Sequence, residues 1–331
     1  MYDLRRNDYD VTNTVQVSST VATAAAVRAL FEAAWPAEPF DQVAHSFEEF
    51  DKLYNGHMPG YHGVDTVYHD RQHSLDMTLA MARLLVGYER SVEPRLRVGG
   101  ERAAMALVTS LFHDAGYIRE LSDSGHRNGA EFTLYHVTRS ARFLARFLPT
   151  MGTDKWVPIA TRIVHFTGYE IELDQIELAD PRDRKVGNLL GTADLIAQMA
   201  DRCYLEKCRD RLYPEFVLGG IAAAPGSDGR LRVRYSSGLD LLRQTPRFVR
   251  ETRIQRLEGE FEHAYRYVEP LFGGSNPYLE AIDRNLGYLA RVLHSERWPM
   301  LRRNPPLFTW GDNQLGRVRG LMLNRLKVLW A

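Results

Sequence analysis

Residues 103–117 of the 331-residue chain read Ala-Ala-Met-Ala-Leu-Val-Thr-Ser-Leu-Phe-His-Asp-Ala-Gly-Tyr. The apolar run is typical of a buried helix, and it delivers His113 and Asp114 at its end, before a turn at Gly116. Two ionisable groups at the edge of a core need a partner, and a divalent cation would satisfy both. The alternative is an ordinary C-terminal histidine that interacts with the helix dipole.

Upstream, residues 68–76 read Tyr-His-Asp-Arg-Gln-His-Ser-Leu-Asp and place two histidines four residues apart. On a helix, positions i and i+4 share a face, so His69 and His73 would point into one cavity. Asp76 would lie on that face as well, where its carboxylate could hydrogen-bond the imidazole nitrogen of His73 that faces away from a metal. The His-x3-His spacing alone is a weak indication of a metal site.

Downstream, two further histidines and one aspartate stand in segments with helical periodicity. His136 and His165, each taken alone, are also typical of histidines at the boundary of a core. Asp194 lies in an apolar Ala/Leu/Ile/Met helix, where a lone carboxylate is costly unless its charge is compensated. Gln198 and Asp201 follow on the same helical face, at i+4 and i+7.

From residue 20 onward, almost every apolar run has a helical period, which predicts an all-α chain. We expect one domain over residues 1–331 with no internal repeat. The predicted helices span 22–35, 41–54, 66–88, 101–114, 128–148, 154–167, 188–212, 246–270, 277–295 and 316–330. Residues 1–19 are predicted to be a loosely held tail, 168–187 a charged solvated connector, and 230–235 a short strand.

The order of these residues resembles that of the HD-domain superfamily of metal-dependent phosphohydrolases. The resemblance covers about 60–215 and implies an HD-domain helical bundle with N- and C-terminal helical extensions, the latter over 216–331. It implies a metal site made of His73, His113, Asp114 and Asp194, to which dinuclear members add two histidines, here His136 and His165. The implied cofactor is one or two divalent transition-metal ions, such as manganese, iron, zinc or nickel.

Residues 68–76 are also similar to the cyclic-nucleotide phosphodiesterase signature Tyr-His-Asn-x-x-His-Ala-x-Asp. In that family the first histidine protonates the leaving oxygen and the second binds metal, which implies these roles for His69 and His73. The chain departs from the signature at Asp70, where that family has asparagine, and at Tyr117, where it has a further histidine. The bacterial cyclic-di-GMP phosphodiesterases share the dinuclear order, but their Gly-Tyr-Pro segment is missing here.

The resemblance implies hydrolysis of a small phosphoester, such as a nucleotide, by metal-activated water, with Asp114 bridging the metals and His69 as general acid. Further candidates for contacts around the metal or with substrate are Asp76, Tyr117, Arg139, Gln198, Asp201 and Tyr204. Candidate phosphate-binding arginines are Arg71, Arg119, Arg127 and Arg139, and loop histidines that could contact substrate are His57, His62 and His126. The same ligand order occurs in HD-type di-iron oxygenases, and a non-catalytic regulatory HD domain is a third interpretation.

The charge balance and the cysteine count limit the classes of binding partner and the compartment that we expect. Basic and acidic side chains number 42 each, so the zero net charge predicts no general attraction to nucleic-acid polymers or anionic membranes. Cys203 and Cys208 are the only cysteines and are not expected to form a bridge, which suits a cytoplasmic protein. The basic and apolar segment 316–330 is expected to dock on its own domain, with a membrane-surface or partner-binding helix as the alternative. A homodimer is compatible with the aromatic C-terminal part.

Overall fold

A computed structural model of the chain, which describes residues 5–226, 228 and 230–330, confirms the all-α prediction. The α-helices are α1 (Thr20–Ala34), α2 (Asp41–Tyr54), α3 (Arg71–Ser91), α4 (Gly99–Leu111), α5 (His136–Thr150), α6 (Val157–Ile163), α7 (Pro181–Ala200), α8 (Tyr204–Lys207), α9 (Tyr213–Leu218), α10 (Gly238–Thr252), α11 (Pro277–Ser295) and α12 (Gln314–Leu329). The strands β1 (Ala223–Pro225) and β2 (Leu231–Val233) form an antiparallel pair. Two π-helical segments follow α8 and α10, at Cys208–Leu212 and Arg253–Glu260, and Ala264–Leu271 is a 3₁₀ helix.

Helix α3 forms the centre of the fold. Its residues from Gln72 to Tyr88 are buried all round, and it packs against α1, α4, α7 and the segment Ala264–Leu271. A helix that is apolar on every side is stable only where other elements cover every side. The metal-ligand candidates of α3, α4 and α7 therefore lie on helices that are fixed by the core.

Several predicted helices have different boundaries, with consequences for the site. The helix predicted at 101–114 ends at Leu111, so His113 and Asp114 follow it. The helix predicted at 66–88 begins only at Arg71, because the side chain of Asp70 accepts a hydrogen bond from the backbone N–H of His73 and caps the helix. The predicted 128–148 segment is a short 3₁₀ turn followed by α5, so His136 lies at a helix start. The predicted 188–212 helix breaks at Asp201, and α7 begins at Pro181, inside the predicted connector.

The prediction of a loosely held N-terminal tail is wrong for the described residues of that segment. Asp10 is fully buried and accepts hydrogen bonds from the backbone N–H groups of Thr12, Thr14 and Val15. Its Oδ2 lies 2.7 Å from Nη2 of Arg83 on α3. Burial acts to raise the pKa of Asp10. The Arg83 guanidinium and the hydrogen-bond donors outweigh this effect and lower the pKa to about 2. This ion pair attaches the segment to the central helix.

The C-terminal extension continues the same bundle. Helix α11 packs on α7, and the side-chain amide of Asn285 donates to the carbonyls of Met199 and Asp201. Helix α12 packs on α9, yet only Gln314 and Val318 of its side chains are buried. Met322 and Leu326 in its second half are partly buried against the core, so the docking of this helix extends along one face. No helix among the described residues combines the length and the apolarity needed to cross a bilayer.

Candidate metal centre

The ends of α3 and α4 bring three predicted ligands together in the core. Nε2 of His113 lies 3.3 Å from Nε2 of His73, and Oδ2 of Asp114 lies 3.3 Å and 3.5 Å from these two nitrogens. All three side chains are buried, and one ligand atom from each lies within 4.8 Å of the others. A divalent ion could be held between them, since imidazole and carboxylate are ordinary transition-metal ligands.

Two more predicted ligands face this cluster from other helices. Oδ1 of Asp194, on α7, lies 3.2 Å from Nε2 of His73 and 3.8 Å from Nε2 of His113. Nε2 of His136, at the start of α5, lies 3.8 Å from Oδ1 of Asp114. Five of the six predicted ligands therefore converge, and Asp114 lies between the histidines of α3 and α5.

The hydrogen bonds of the histidines fit a metal site. Nδ1 of His113 lies 2.8 Å from the carbonyl of Ser110, and Nδ1 of His136 lies 2.8 Å from the carbonyl of Thr133. Because a carbonyl can only accept, each Nδ1 carries the hydrogen, and in the neutral ring the lone pair is on Nε2, which faces the cluster. Oδ2 of Asp114 is buried there with no hydrogen-bond partner among the described residues, as expected of an oxygen that binds a cation.

Protons compete with a metal for these atoms. Burial lowers the pKa of His113, but the nearby carboxylates of Asp114 and Asp194 outweigh it and raise the pKa to about 9. Burial likewise acts to raise the pKa of Asp114, yet His113 and the neighbouring imidazoles hold it well below its usual range. In the metal-free protein the histidine therefore binds a proton that a metal ion would displace, so metal affinity is expected to weaken at acidic pH.

The structure does not bring His165 into this cluster. His165 is half-buried after α6, and within the part of the chain that the structure describes its Nδ1 has no hydrogen-bond partner. It is not part of the His73–His113–Asp114 group whose ligand atoms lie close enough to hold one ion. Burial lowers the pKa of His165, with a smaller opposite effect from Glu170. Its role as a sixth ligand stays a prediction from the resemblance.

His69 is paired with a glutamate that sequence reasoning missed. Its Nδ1 lies 2.7 Å from Oε2 of Glu215, a fully buried residue on α9. The other oxygen of Glu215 accepts the backbone N–H groups of Val67 (2.5 Å) and Tyr68 (2.6 Å). Burial lowers the pKa of His69, but the Glu215 carboxylate outweighs this and the net shift is upward. The only sequence indication of this residue was a carboxylate within the apolar run Tyr213–Leu218.

Tyr117 stacks against the rings of two of these histidines. Its ring centroid is 4.4 Å from that of His69 and 4.3 Å from that of His136, with interplanar angles of 18° and 21°. The preceding Gly116 allows this approach, because a Cβ there would lie 1.8 Å from the carbonyl oxygen of His136. The Gly116 N–H also donates to Oγ of Ser140 at 2.9 Å. Tyr117 therefore supports the imidazole rings of His69 and His136 by stacking on them.

The guanidinium of Arg139 is bound to backbone carbonyls and does not line the cavity beside the cluster, and phosphate binding by Arg139 stays a prediction. Nε donates to the carbonyl of Gly116 at 2.7 Å and Nη2 to that of Ile118 at 3.1 Å, and the group lies 3.7 Å above the ring of Phe132. Arg139 supports the turn that carries Tyr117.

We expect Arg139→Ala to lower the free energy of unfolding by about 1–3 kcal/mol, because two backbone carbonyls lose a charged donor. Chemical denaturation measures this. Exposed Arg127→Ala, on a neighbouring loop, is the control and should change stability by less than about 0.5 kcal/mol. A folded Arg139→Ala protein of unchanged stability would contradict this structural role.

The other arginines and the histidines that the sequence suggested as substrate contacts do not line the cavity that opens beside the cluster. Arg71 contacts Asp51 and Asn55, and Arg119 contacts Asp65. Neither of these arginines lines the cavity beside the cluster. The same holds for the remaining candidates Arg127, His57, His62 and His126.

A cavity of about 570 Å³ opens beside the cluster. Gln198 and Tyr204, both proposed from the sequence, line it, and Oε1 of Gln198 accepts a 3.3 Å hydrogen bond from the Tyr68 hydroxyl. The lining includes residues of the cluster, His69, Tyr117 and Glu170, and much of its remaining wall comes from the C-terminal extension. The size is within the range of small-molecule sites.

A second, much smaller cavity of about 20 Å³ lies behind His73 and is lined by Asp76 and Asp201. Asp201 is occupied structurally, since Oδ2 lies 2.5 Å from Nζ of Lys207 and Oδ1 accepts the N–H of Cys203. Oδ1 of Asp76 is buried with no hydrogen-bond partner among the described residues. Burial, the largest effect, raises the pKa of Asp76 to about 7.

A pH-dependent stability follows from Asp76. Because its pKa rises on folding from 3.8 to about 7, its contribution to stability is complete below pH 4 and is lost as the pH rises through 7. In metal-free protein we expect the free energy of unfolding to fall between pH 4 and 8, by on the order of 2–4 kcal/mol from this group. Asp76→Asn should remove that part of the slope in urea unfolding with chelator present. Identical slopes in the two proteins would contradict the assignment.

Comparison of the chain with protein-family models, curated proteins and solved structures gave no match. The all-α fold and a buried His73–His113–Asp114 cluster that could hold a metal ion therefore stand on the geometry alone.

Proposed function

We propose that the chain is an HD-type, metal-dependent phosphohydrolase that cleaves a small phosphoester. The observation that carries this proposal is the arrangement at one end of the large cavity. There, the buried cluster of His73, His113 and Asp114 lies beside His69, which is hydrogen-bonded to a buried carboxylate. A metal-binding group and a proton donor on one cavity are the two parts that metal-assisted phosphoester hydrolysis uses.

The residues that would hold a divalent ion are His73, His113, Asp114 and Asp194, with His136 as a further ligand on the α5 side. When bound, such an ion polarises a phosphoryl oxygen and lowers the pKa of a coordinated water toward neutrality. Backbone carbonyls set the tautomers of His113 and His136, so these two imidazoles are oriented before a substrate binds.

His69 would supply the proton for the leaving oxygen. Glu215 holds Nδ1, and Tyr117 stacks on the ring, so Nε2 is the nitrogen that remains to act on substrate. The carboxylate of Glu215 favours the protonated ring, which is the form that a general acid needs near neutral pH. The Glu215 oxygen is in turn oriented by two backbone N–H groups.

The test is elemental analysis of the purified protein, followed by a panel of phosphomonoesters and phosphodiesters assayed with and without oxygen. We expect a stoichiometric divalent metal and hydrolysis at equal rates under air and under nitrogen. Iron together with oxygen-dependent turnover would instead support the di-iron oxygenase interpretation. Absence of tightly bound metal and of turnover would support a regulatory domain.

A further inference from the structure

Helix α10 presents one row of side chains to the large cavity. Leu241, Thr245, Phe248 and Thr252 line it, and their spacing of four, three and four residues places them on one helical face. We call these four residues the α10 row. Phe248 is 37% exposed, which is unusual for a large aromatic side chain inside a cavity and leaves its ring accessible to a ligand.

Apolar side chains also form other parts of the cavity wall. Leu195 of α7 and Phe216 of α9 line it, as do Leu212 and Ile221. The ring of Phe216 stacks on that of Tyr235, with centroids 5.9 Å apart, and is thereby held in place. The cavity therefore combines a polar end at the histidine–aspartate cluster with extended apolar and aromatic walls.

Positive charge is scarce along these walls. Arg234 and Arg256 are the lysine or arginine residues that line the cavity in the described part of the chain. Arg256 is engaged, because Nη2 donates to the carbonyls of Phe166 and Gly168 and Nη1 lies 2.8 Å from Glu260. A substrate with two or three phosphates would leave most of its charge without a cationic partner.

Two carboxylates on the cavity wall also bear on how well a polyphosphate could bind. Glu170 and Glu251 both line the cavity. Glu170 accepts hydrogen bonds from the N–H groups of Val137 and Thr138, which fix its carboxylate beside the cluster. Glu251 is paired with Arg247 at 2.6 Å, so Glu170 is the carboxylate whose negative charge a polyphosphate extending from the cluster would meet.

We propose that the substrate carries a single phosphoryl group on a large apolar or aryl organic group, and that this group lies on the α10 row. The proposal rests on the phosphohydrolase function, since it assumes that the phosphoryl group binds at the metal cluster. In this proposal the C-terminal extension selects the substrate, and the HD-like core hydrolyses it.

Binding of non-hydrolysable phosphonates to the metal-loaded protein tests this directly. We expect octylphosphonate to bind at least about tenfold more tightly than methylphosphonate in calorimetry, because its added methylene groups leave water. ATP should bind no more tightly than methylphosphonate. Equal affinities of the two phosphonates, or tighter binding of ATP than of octylphosphonate, would overturn the proposal. Binding needs no turnover, so an inactive protein would count against the phosphohydrolase function and leave this comparison readable.

Phe248→Ala locates the binding surface. It should weaken octylphosphonate about tenfold and leave methylphosphonate affinity unchanged, because the ring contacts only the organic group. The matched control is Ile254→Ala, since Ile254 is 58% exposed, follows the same helix and lies outside the cavity lining. An unchanged octylphosphonate affinity in Phe248→Ala, or an equal loss in both variants, would refute the assignment to the α10 row.

Discussion

Asp114→Ala is expected to abolish tight metal binding and phosphoester hydrolysis together, with turnover falling by more than about 10³-fold. Asp114 is central to the cluster, since its oxygens lie 3.3 Å from His113, 3.5 Å from His73 and 3.8 Å from His136. Its removal would leave the imidazoles without the carboxylate that lies between them. Metal content by elemental analysis and turnover on an active phosphoester are the two measurements.

The control for Asp114→Ala is His126→Ala. His126 is a histidine outside the cavity that pairs with Asp123, so its loss should change neither metal content nor turnover. Metal-stripped wild-type protein is the reference for folding, because both it and Asp114→Ala lack the ion. An Asp114→Ala protein that keeps a stoichiometric metal would show that the ion binds elsewhere.

The sequence predicted the cluster well because its residues interrupt apolar patterns. A His-Asp pair that ends a buried helix and an aspartate inside an apolar helix are visible without a structure, since a buried charge is costly unless a partner compensates it. His73, His113, Asp114 and Asp194 were all found in this way or through the family order, and the structure brings them together. The all-α class followed from the helical period of nearly every apolar run.

The features that escaped prediction depend on contacts between distant segments. Glu215 meets His69 across 146 positions of sequence, and no local pattern announces that pairing. Nothing local shows that Arg139, a candidate phosphate ligand in the sequence, faces the carbonyls of the Gly116 turn. His69 was placed on a helix because the apolar period runs past the cap that Asp70 forms. The α10 row becomes part of the cavity only through tertiary packing.

His69→Ala is expected to keep the metal and lose turnover by about 10²–10⁴-fold, as for the loss of a general acid. The cluster distances do not involve His69, so elemental analysis should give wild-type metal content. Wild-type turnover in this variant on a substrate with a poor leaving group would show that the proton comes from elsewhere.

Glu215→Gln separates positioning from mere packing. The amide oxygen can still accept the N–H groups of Val67 and Tyr68, but the negative charge that raises the pKa of His69 is gone. We expect turnover to fall about 10–100-fold. The alkaline limb of the pH–rate profile should also move to lower pH, because the ring then loses its proton more easily. The control is Glu206→Gln, a buried glutamate outside the cavity lining, which should leave the pH profile unchanged.

The double variant decides whether the two residues act as one unit. If Glu215 works through the imidazole, then adding Glu215→Gln to His69→Ala should cost no further turnover, because the group that it positions is already absent. A multiplicative loss in the double variant would mean that Glu215 acts independently of His69. Its role would then be to support the fold of the 67–70 loop and not to assist proton transfer. An unshifted pH profile in the single variant would lead to the same conclusion, since the loss of the Glu215 charge is expected to lower the pKa of His69.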